Sequence, residues 1–135
     1  MMSVKQVGRG LVVVALSLVA TGAYAQAQGT QKPFEPQVGQ AGKDVVWVPT
    51  PQATVDKMLE LTKVTAKDFV MDLGSGNGIT VITAAKKGAT ALGIEYNPDM
   101  VELSKRLAAE AGVSARATFV KADLFEADLS KATVI

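Results

Sequence analysis

An acidic residue followed by alternating glycines is the part of this sequence whose chemistry best suits a ligand. The segment DLGSGNG, from Asp72 to Gly78, follows a short apolar run and precedes a helix-like pattern. Glycines allow a tight turn and let a ligand come against the peptide groups. The helix that follows directs its free N–H groups and the positive end of its dipole at the same space. We therefore expect an anionic or carboxylate-bearing group to bind there, the alternative being a glycine-rich turn that binds nothing.

The spacing of the glycines distinguishes two kinds of nucleotide ligand. A dinucleotide fingerprint has the form G-x-G-x-x-G, which after Gly74 and Gly76 requires glycine at position 79, where the chain has Ile79. The third glycine is Gly78 instead, and Asp72 stands two residues before the first. A carboxylate beside the loop repels a pyrophosphate and suits a ligand that carries an amine or a positive centre.

Two further acids follow later strand-like segments. Glu95 ends the segment ALGIE, where a carboxylate can accept hydrogen bonds from both hydroxyls of a ribose. Asp123 ends the segment ATFVKAD and can accept a hydrogen bond from an adenine amino group. Each has a simpler alternative. Glu95 can be a solvated residue at a strand end, and Asp123 can begin a capping box that is completed by Glu126, a role compatible with ligand binding.

The apolar pattern predicts the elements that bring these acids together. Strands and helices alternate along the chain, with strands at 69–73, 91–95 and 117–123 and helices at 78–87 and 98–111. Gly88 closes the first of these helices, and Asn97 is the N-cap of the second. This alternation is typical of a parallel α/β sheet with right-handed crossovers. Ligands bind at the carboxyl ends of the strands in such sheets, which is where the loop and both acids lie.

An apolar, extended segment and an amphipathic helix precede the first strand. VVWVPTP, at 45–51, is followed by a helix predicted from about Pro51 to Lys63, with Thr50 as its N-cap. Val55, Met58, Leu59 and Thr62 are predicted to form its inner face.

The last four residues, ATVI at 132–135, resemble the opening of a fourth strand. A sequence that finishes on an apolar parallel strand leaves an unpaired edge. We therefore expect this sequence to be the N-terminal part of a longer protein.

The N-terminus has the layout of a secretory signal peptide. Lys5 and Arg9 precede an apolar run from Leu11 to Ala25 that ends in A-Y-A. The run is shorter than the roughly 20 residues of a membrane-spanning helix. Residues 1–25 are thus predicted to be removed by cleavage before Gln26, giving an exported, periplasmic or secreted protein without a stable membrane span. An uncleaved membrane anchor and a buried core helix are the alternatives.

Composition and residue usage bound the remaining possibilities. Residues 26–44 are rich in Gln, Gly and Pro and are predicted to be a flexible linker, which leaves one domain at 45–135. The formal net charge is +1, so nothing indicates a nucleic-acid partner. The chain contains no cysteine and no histidine, which excludes disulfides, thiol nucleophiles, imidazole bases and the usual transition-metal sites. No metal site is predicted.

The loop, Glu95 and Asp123, at these intervals, resemble the class I S-adenosylmethionine-dependent methyltransferases over about residues 44–135. The resemblance implies an α/β fold with a Rossmann-like parallel sheet and flanking helices, of which this chain has the N-terminal half. It also implies S-adenosyl-L-methionine as the cofactor, with its methionine part at the glycine loop, its ribose at Glu95 and its adenine at Asp123. The residues after the two acids, Tyr96 and Leu124, often flank the adenine in that family. The predicted cofactor-binding residues are therefore Asp72, Gly74, Ser75, Gly76, Asn77, Gly78, Glu95, Tyr96, Asp123 and Leu124.

A narrower resemblance covers the V-P segment together with the loop and ADLFEADLSKATVI. The combination is similar to small bacterial methyltransferase-domain proteins with exported N-termini and, more distantly, to mitochondrial protein-lysine methyltransferases. In that group the position of Trp47 is often tyrosine, and the positions of Asn77 and Ile79 are often aspartate and arginine. Polar contacts from those two loop side chains are therefore not expected to carry over. For Trp47, packing of the leading helix onto the sheet is the alternative to a role at the site.

The resemblance implies transfer of a methyl group to an unknown acceptor, such as a protein lysine, another amine or a small molecule. A general base is optional for a neutral amine, so the absence of histidine and cysteine is compatible with that reaction. Acceptor-side residues of the family usually follow the fourth and later strands, so no catalytic residue is predicted. A non-catalytic module that binds the nucleoside or S-adenosylmethionine is the alternative, and a fragment of a dinucleotide-dependent oxidoreductase is disfavoured by Asp72 and Ile79. An exported domain also conflicts with a cofactor that is made and used mainly in the cytosol.

Overall fold

A parallel sheet of three strands forms the centre of the computed structural model, which describes residues 32–135. The strands are β1 (Phe69–Leu73), β2 (Thr90–Glu95) and β3 (Ala117–Lys121), in the spatial order β1-β2-β3. Their register sets Asp72 beside Gly93 and Glu95 beside Lys121. The carboxyl ends of all three strands therefore lie along one edge, and the predicted α/β sheet is confirmed.

Three α-helices and one short 3₁₀ helix accompany the sheet. They are α1 (Gln52–Leu61), α2 (Ile79–Lys86), α3 (Pro98–Glu110) and the 3₁₀ helix Leu124–Glu126. The start of α3 was predicted at its observed residue, and the other predicted helix bounds differ from the observed ones by one or two residues, because helix ends depend on the last hydrogen-bonded turn. Both connections between strands move in the same direction along the sheet, and right-handed crossovers then place α2 and α3 on the same face.

The helix N-termini confirm one predicted cap and contradict another. The side-chain oxygen of Asn97 accepts from the N–H groups of Asp99 and Met100 at 2.9 and 3.4 Å, so this residue is the N-cap of α3. The prediction that Thr50 caps α1 is wrong. The N-cap is Pro51, which has no side-chain hydrogen bond, and the helix begins one residue later.

The inner face of α1 is narrower than predicted. Val55 and Leu59 are buried, whereas Met58 is 47% exposed and Thr62 lies past the helix at its C-cap. The main neighbour of this helix is α2, and a helix that packs mainly on one neighbour buries a narrow stripe. By contrast, α2 contacts α1, α3 and all three strands, which explains why five consecutive residues, 81–85, are buried in it.

Residues 133–134 run parallel to β1 on the edge away from β2. The N–H of Thr133 donates to the carbonyl of Phe69 at 2.9 Å, and the N–H of Met71 donates to the carbonyl of Val134 at 2.9 Å. The pairing of Val70 with Val134 is a single parallel bridge, as expected for the opening of a fourth strand. Since β2 and Val134 flank β1 on opposite sides, the strand order reverses at β1, which is the topological switch point where open α/β sheets bind ligands.

A hydrogen-bonded turn lies at the predicted boundary between linker and domain. The N–H of Gly39 donates to the carbonyl of Trp47 at 2.8 Å, and the N–H of Trp47 donates to the carbonyl of Gln40 at 2.9 Å. Ala41 and Val46 form an antiparallel bridge inside this turn. We call residues 39–48 the strap. The strap is folded back on itself and reaches the carboxyl edge of the sheet.

The predicted signal peptide at residues 1–25 and the first part of the linker lie outside the described residues, so both remain predictions. Within residues 32–135, none of the helices has the length and apolar character that a membrane crossing requires.

Candidate functional site

A cavity of about 400 Å³ opens at the carboxyl end of the strands. Its volume lies in the range of roughly 300–1,000 Å³ that is usual for small-molecule and cofactor sites. Its walls are formed by the ends of all three strands, the 3₁₀ helix and the strap. It is lined by residues 42–48, Gly74, 94–96 and 122–125.

Glu95 is held rigidly at the end of β2. Its carboxylate accepts from the N–H of Gly76 at 2.9 Å through Oε2 and from the N–H of Asn97 at 2.8 Å through Oε1. Each carboxylate oxygen can accept more than one hydrogen bond, so the side chain is fixed by the backbone and can still accept from a ligand. A carboxylate with one free acceptor position on each oxygen can accept from a pair of vicinal hydroxyls.

Asp123 begins the 3₁₀ helix and also faces a cation. Its Oδ1 accepts from the N–H of Phe125 at 3.1 Å, which confirms the N-cap half of the predicted capping box, whereas Glu126 meets Asp123 through its backbone N–H, which donates to the Asp123 carbonyl at 3.1 Å. Its Oδ2 lies 2.9 Å from the Nζ of Lys43 in the strap. The hydrogen bond from Lys43 and that from the Phe125 N–H lower the pKa of Asp123, and the pairing with Asp123 raises the pKa of Lys43. Both groups are therefore charged at neutral pH.

The three loop glycines are required for different reasons. A Cβ on Gly74, where φ is +85°, meets nothing within 4 Å, so this residue leaves the cavity wall open. A Cβ on Gly76 lies 2.7 Å from the indole Nε1 of Trp47, and one on Gly78 lies 2.7 Å from the ring of Phe119. Close packing within the protein itself thus requires two of the glycines, and only Gly74 borders the ligand space.

The backbone N–H groups of Gly74, Ser75 and Gly76 all donate hydrogen bonds within the protein. The N–H groups of Gly74 and Ser75 donate to the carbonyl of Ile94 at 2.8 and 3.0 Å, and that of Gly76 donates to Glu95. These bonds fix the loop against the end of β2. The sequence predicts that backbone N–H groups of the loop contact the ligand, but the N–H groups of Gly74, Ser75 and Gly76 are already hydrogen-bonded within the protein. The cavity is instead bordered by side chains and by the open face of Gly74.

Asp72 lies at the end of β1 behind the loop and is half-buried. Burial raises its pKa and the nearby charge of Glu95 raises it further, while interaction with the Thr80 side chain lowers it. Two carboxylates that repel each other favour a cation between or beside them. A positively charged ligand group near Asp72 would relieve that repulsion, which fits the ligand class that the sequence predicts.

A buried serine on α3 forms a hydrogen bond to the backbone of the glycine loop. The hydroxyl of Ser104, which is 0% exposed, donates to the carbonyl of Gly76 at 2.9 Å. The hydroxyl of Ser75 is also buried and, among the described residues, is the side-chain polar atom without a hydrogen-bond partner.

The structure gathers half of the predicted site residues around the cavity. Those that line it are Gly74, Glu95, Tyr96, Asp123 and Leu124. The others lie behind or beside it: Asp72, Ser75, Gly76, Asn77 and Gly78. The cofactor-binding role of all ten remains a prediction, and the described residues provide no group that could be assigned to catalysis on an acceptor.

Sequence reasoning missed the strap as a wall of the cavity. Lys43 and residues 44–48 line it, although the composition of 26–44 indicated only a linker. The available signal was the single basic residue, Lys43, between the Gln- and Gly-rich stretch and the apolar V-P segment. Ile94 and Ala122, which lie next to predicted residues, were also missed.

The sequence and fold match known methyltransferases. The protein-family model described as the ANTKMT methyltransferase domain matches residues 72–135 of this chain. A protein-lysine N-methyltransferase from Saccharolobus islandicus (strain REY15A) is 43% identical over 93 residues, covering 67% of this chain and 58% of that protein. The ATP synthase lysine N-methyltransferase of Homo sapiens is 36% identical over 85 residues, covering 63% of this chain and 36% of that protein. The chain thus spans less than two thirds of the length of either relative.

Solved structures give the same result at the level of fold. An RNA methyltransferase from Salinibacter ruber, in complex with S-adenosyl-L-homocysteine, has 50% sequence identity and a TM-score of 0.62, covering 64% of this chain and 57% of that one. A methyltransferase from Thiobacillus denitrificans, also with S-adenosyl-L-homocysteine, has 29% identity and a TM-score of 0.51, covering 55% and 30%. Together with the sheet order and the strand-end acids, these matches show that residues 72–135 have the sequence pattern and the Rossmann-like fold of S-adenosylmethionine-dependent methyltransferases.

Proposed function

We propose that this protein binds S-adenosyl-L-methionine in the strand-end cavity and transfers its methyl group to an acceptor. The observation that carries the proposal is that one cavity is bordered by Gly74, Glu95 and Asp123, which come from the ends of three different strands. Two of the solved structures that share this fold were determined with S-adenosyl-L-homocysteine, which supports the same ligand class here.

The residues present fit the proposed cofactor. The fixed Glu95 carboxylate suits the ribose hydroxyls, and the apolar wall beside Asp123, formed by Ile94, Tyr96 and Leu124, suits the flat face of a base. The Asp72 carboxylate, which burial and the Glu95 charge destabilise, would be stabilised by the cationic amino-acid end. The chain's contribution is to bind and orient the ligand and to exclude water.

The bound cofactor supplies a methyl group that its sulfonium already activates. In-line alignment of a nucleophile can then provide most of the rate. A neutral amine or a thiolate needs no protein base for this step, so the absence of histidine and cysteine from the chain does not prevent it.

For the acceptor, we propose the side-chain amine of a lysine in a protein. Support comes from the activities for which the relatives are named, which include protein-lysine and ATP synthase lysine methylation. The matches also include a 2-heptyl-1-hydroxyquinolin-4(1H)-one methyltransferase and the RNA methyltransferase named above, so the test has to separate acceptor classes.

The first test is binding. Calorimetric titration of the purified chain with S-adenosyl-L-homocysteine should give a one-site isotherm, and no heat at millimolar ligand would overturn the proposal. Glu95→Ala should lower the affinity about tenfold or more, since a charged acceptor of several hydrogen bonds is lost. Glu102→Ala is the matched control, because Glu102 is an exposed acid on α3 that pairs with Lys105.

The second test is transfer. With S-adenosylmethionine labelled in its methyl group and an extract as acceptor, label should appear in protein and be recovered as methylated lysine after hydrolysis. Label in RNA or in a small-molecule fraction would contradict the lysine proposal while retaining methyl transfer. Binding without label in any fraction would favour the non-catalytic module.

A further inference from the structure

The strap carries an unassigned basic residue at the mouth of the cavity. The Nζ of Lys43 lies 2.9 Å from Asp123 Oδ2 and 3.3 Å from Asp44 Oδ2. It also lies over two aromatic rings, 5.5 Å from the centre of Tyr96 and 5.7 Å from that of Phe125. A lysine that meets a carboxylate and two ring faces is held in one place by several weak contacts that act together.

Apolar burial holds the strap only weakly. Val45, Val46 and Val48 are 78%, 58% and 63% exposed, and the backbone hydrogen bonds of residues 39–47 that join it are local to the turn. Contacts that tie it to the rest of the domain include the ion pair of Lys43 with Asp123, the approach of the Lys43 ammonium to the two rings, and the packing of Trp47 against Gly76. Lys43 is thus positioned to control whether the strap stays over the cavity.

We propose that Lys43 is a positioning residue that latches the strap over the base end of the cavity through Asp123, and that ligand release requires this latch to open. This inference rests on the proposed cofactor site. The cavity of about 400 Å³ exists while the ion pair is formed and is lined by both of its members, so latch and ligand can be present together. Lys43 therefore acts as a clamp on the ligand rather than as its competitor.

Stopped-flow measurement of S-adenosyl-L-homocysteine dissociation from variants at Lys43 tests the latch directly. Lys43→Met keeps the length of the side chain and removes its charge, and should raise the dissociation rate constant about threefold, the scale of a partly exposed ion pair. Lys43→Arg keeps the cation and should restore the slow rate. Lys57→Met, which breaks the exposed pair with Glu60 on α1, is the matched control and should change nothing.

Two further measurements distinguish a latch formed by Lys43 and Asp123 from a general structural effect of the substitution. If Lys43 acts through Asp123, Lys43→Met should have no additional effect in an Asp123→Asn background. Added salt should speed dissociation from the wild type and leave that from Lys43→Met nearly unchanged. A melting temperature close to that of the wild type is expected for Lys43→Met.

Trp47, the only tryptophan of the chain, reports on the strap without any ligand. Lys43→Met should increase the quenching of its fluorescence by acrylamide, and Lys57→Met should not. Tighter binding by Lys43→Met, or unchanged dissociation together with unchanged quenching, would overturn the inference. Failure of the wild type to bind S-adenosyl-L-homocysteine would overturn the proposed function and, with it, the proposal that ligand release requires the latch to open. The acrylamide quenching of Trp47 fluorescence would still decide whether Lys43 holds the strap in place.

Discussion

Asp72 is the residue at which stability and ligand binding are expected to conflict. Burial and the charge of Glu95 raise its pKa above the ordinary value of 3.8. The folded chain therefore retains a proton at pH values where the unfolded chain has lost it. The free energy of unfolding falls as the pH rises from 3.8 through the folded-state pKa, so the ionised carboxylate destabilises the folded protein at neutral pH.

Asp72→Asn should accordingly raise the melting temperature at pH 7 by a few degrees, and the gain should disappear below pH 3.8. The same change should weaken binding of S-adenosyl-L-homocysteine about tenfold, since a charge-assisted contact to the amino group is lost. Thermal melts over a pH series and calorimetric titration measure the two effects. Asp56→Asn, on the exposed side of α1, is the control, and a destabilised Asp72→Asn that binds as well as the wild type would contradict both expectations.

Gly74 borders the cavity with a backbone that side chains rarely adopt. Gly74→Ala should destabilise the fold by about 1–2 kcal/mol because its φ is +85°. The added Cβ also enters the open space beside the ligand, so affinity should fall about tenfold. Gly112→Ala is the matched control, since Gly112 also has a positive φ and open space around it but does not line the cavity. Equal affinities of the two variants would show that Gly74 does not face the ligand.

At the scale of elements, residues 133–134 are tied to β1 by a side-chain network. The hydroxyl of Thr133 accepts from the N–H of Phe69 at 3.0 Å and donates to Asp68 Oδ1 at 2.9 Å. The backbone N–H and the hydroxyl of Thr65, followed by the hydroxyl of Thr133, lower the pKa of Asp68 below 3.8. Stability from this network is therefore present above pH 3.8 and is lost as the pH falls through the lower folded-state pKa.

Thr133→Val keeps the shape of the side chain and removes the hydroxyl. The Phe69 N–H then loses its side-chain acceptor, and the free energy of unfolding at pH 7 should fall by about 1 kcal/mol. The difference from the wild type should narrow in acid, as Asp68 becomes protonated. Urea unfolding at several pH values is the measurement, with Thr90→Val on the exposed end of β2 as the control. An equal loss at all pH values would indicate a packing effect.

At the scale of the whole molecule, the N-terminal segment bears on where the proposed chemistry takes place. We propose that residues 1–25 direct export and are then removed, on the basis of Lys5, Arg9, the apolar run and the A-Y-A end. Expression of the full chain in a bacterium should give a periplasmic product whose intact mass corresponds to a start at Gln26. An uncleaved product in the membrane fraction would favour the anchor, and an uncleaved product in the cytosol would contradict both and remove the conflict over cofactor supply.

Much of the element structure could be predicted because it depends on local periodicity. Strand β1 was predicted at its observed bounds, and Asn97 was predicted as the cap of α3, since a buried strand and an N-cap each leave a pattern within a few residues. The misplaced features of α1 depend instead on packing. Met58 has the spacing of an inner residue, but the packing of α1 on α2, its main neighbour, leaves it half exposed.

Residue type and chain connectivity alone place the acid–glycine loop, Glu95 and Asp123 at three strand ends, so these features could be predicted before any contact was known. Long-range packing determines which of these residues border one cavity, which glycines serve packing, and that Lys43 lines the cavity in contact with Asp123. Those outcomes depend on contacts between residues far apart in the sequence: Lys43 meets Asp123, and Trp47 meets Gly76, only after the sheet and the strap have formed. A flexible composition predicts no such contact, since the strap is positioned by its partners rather than by its own pattern.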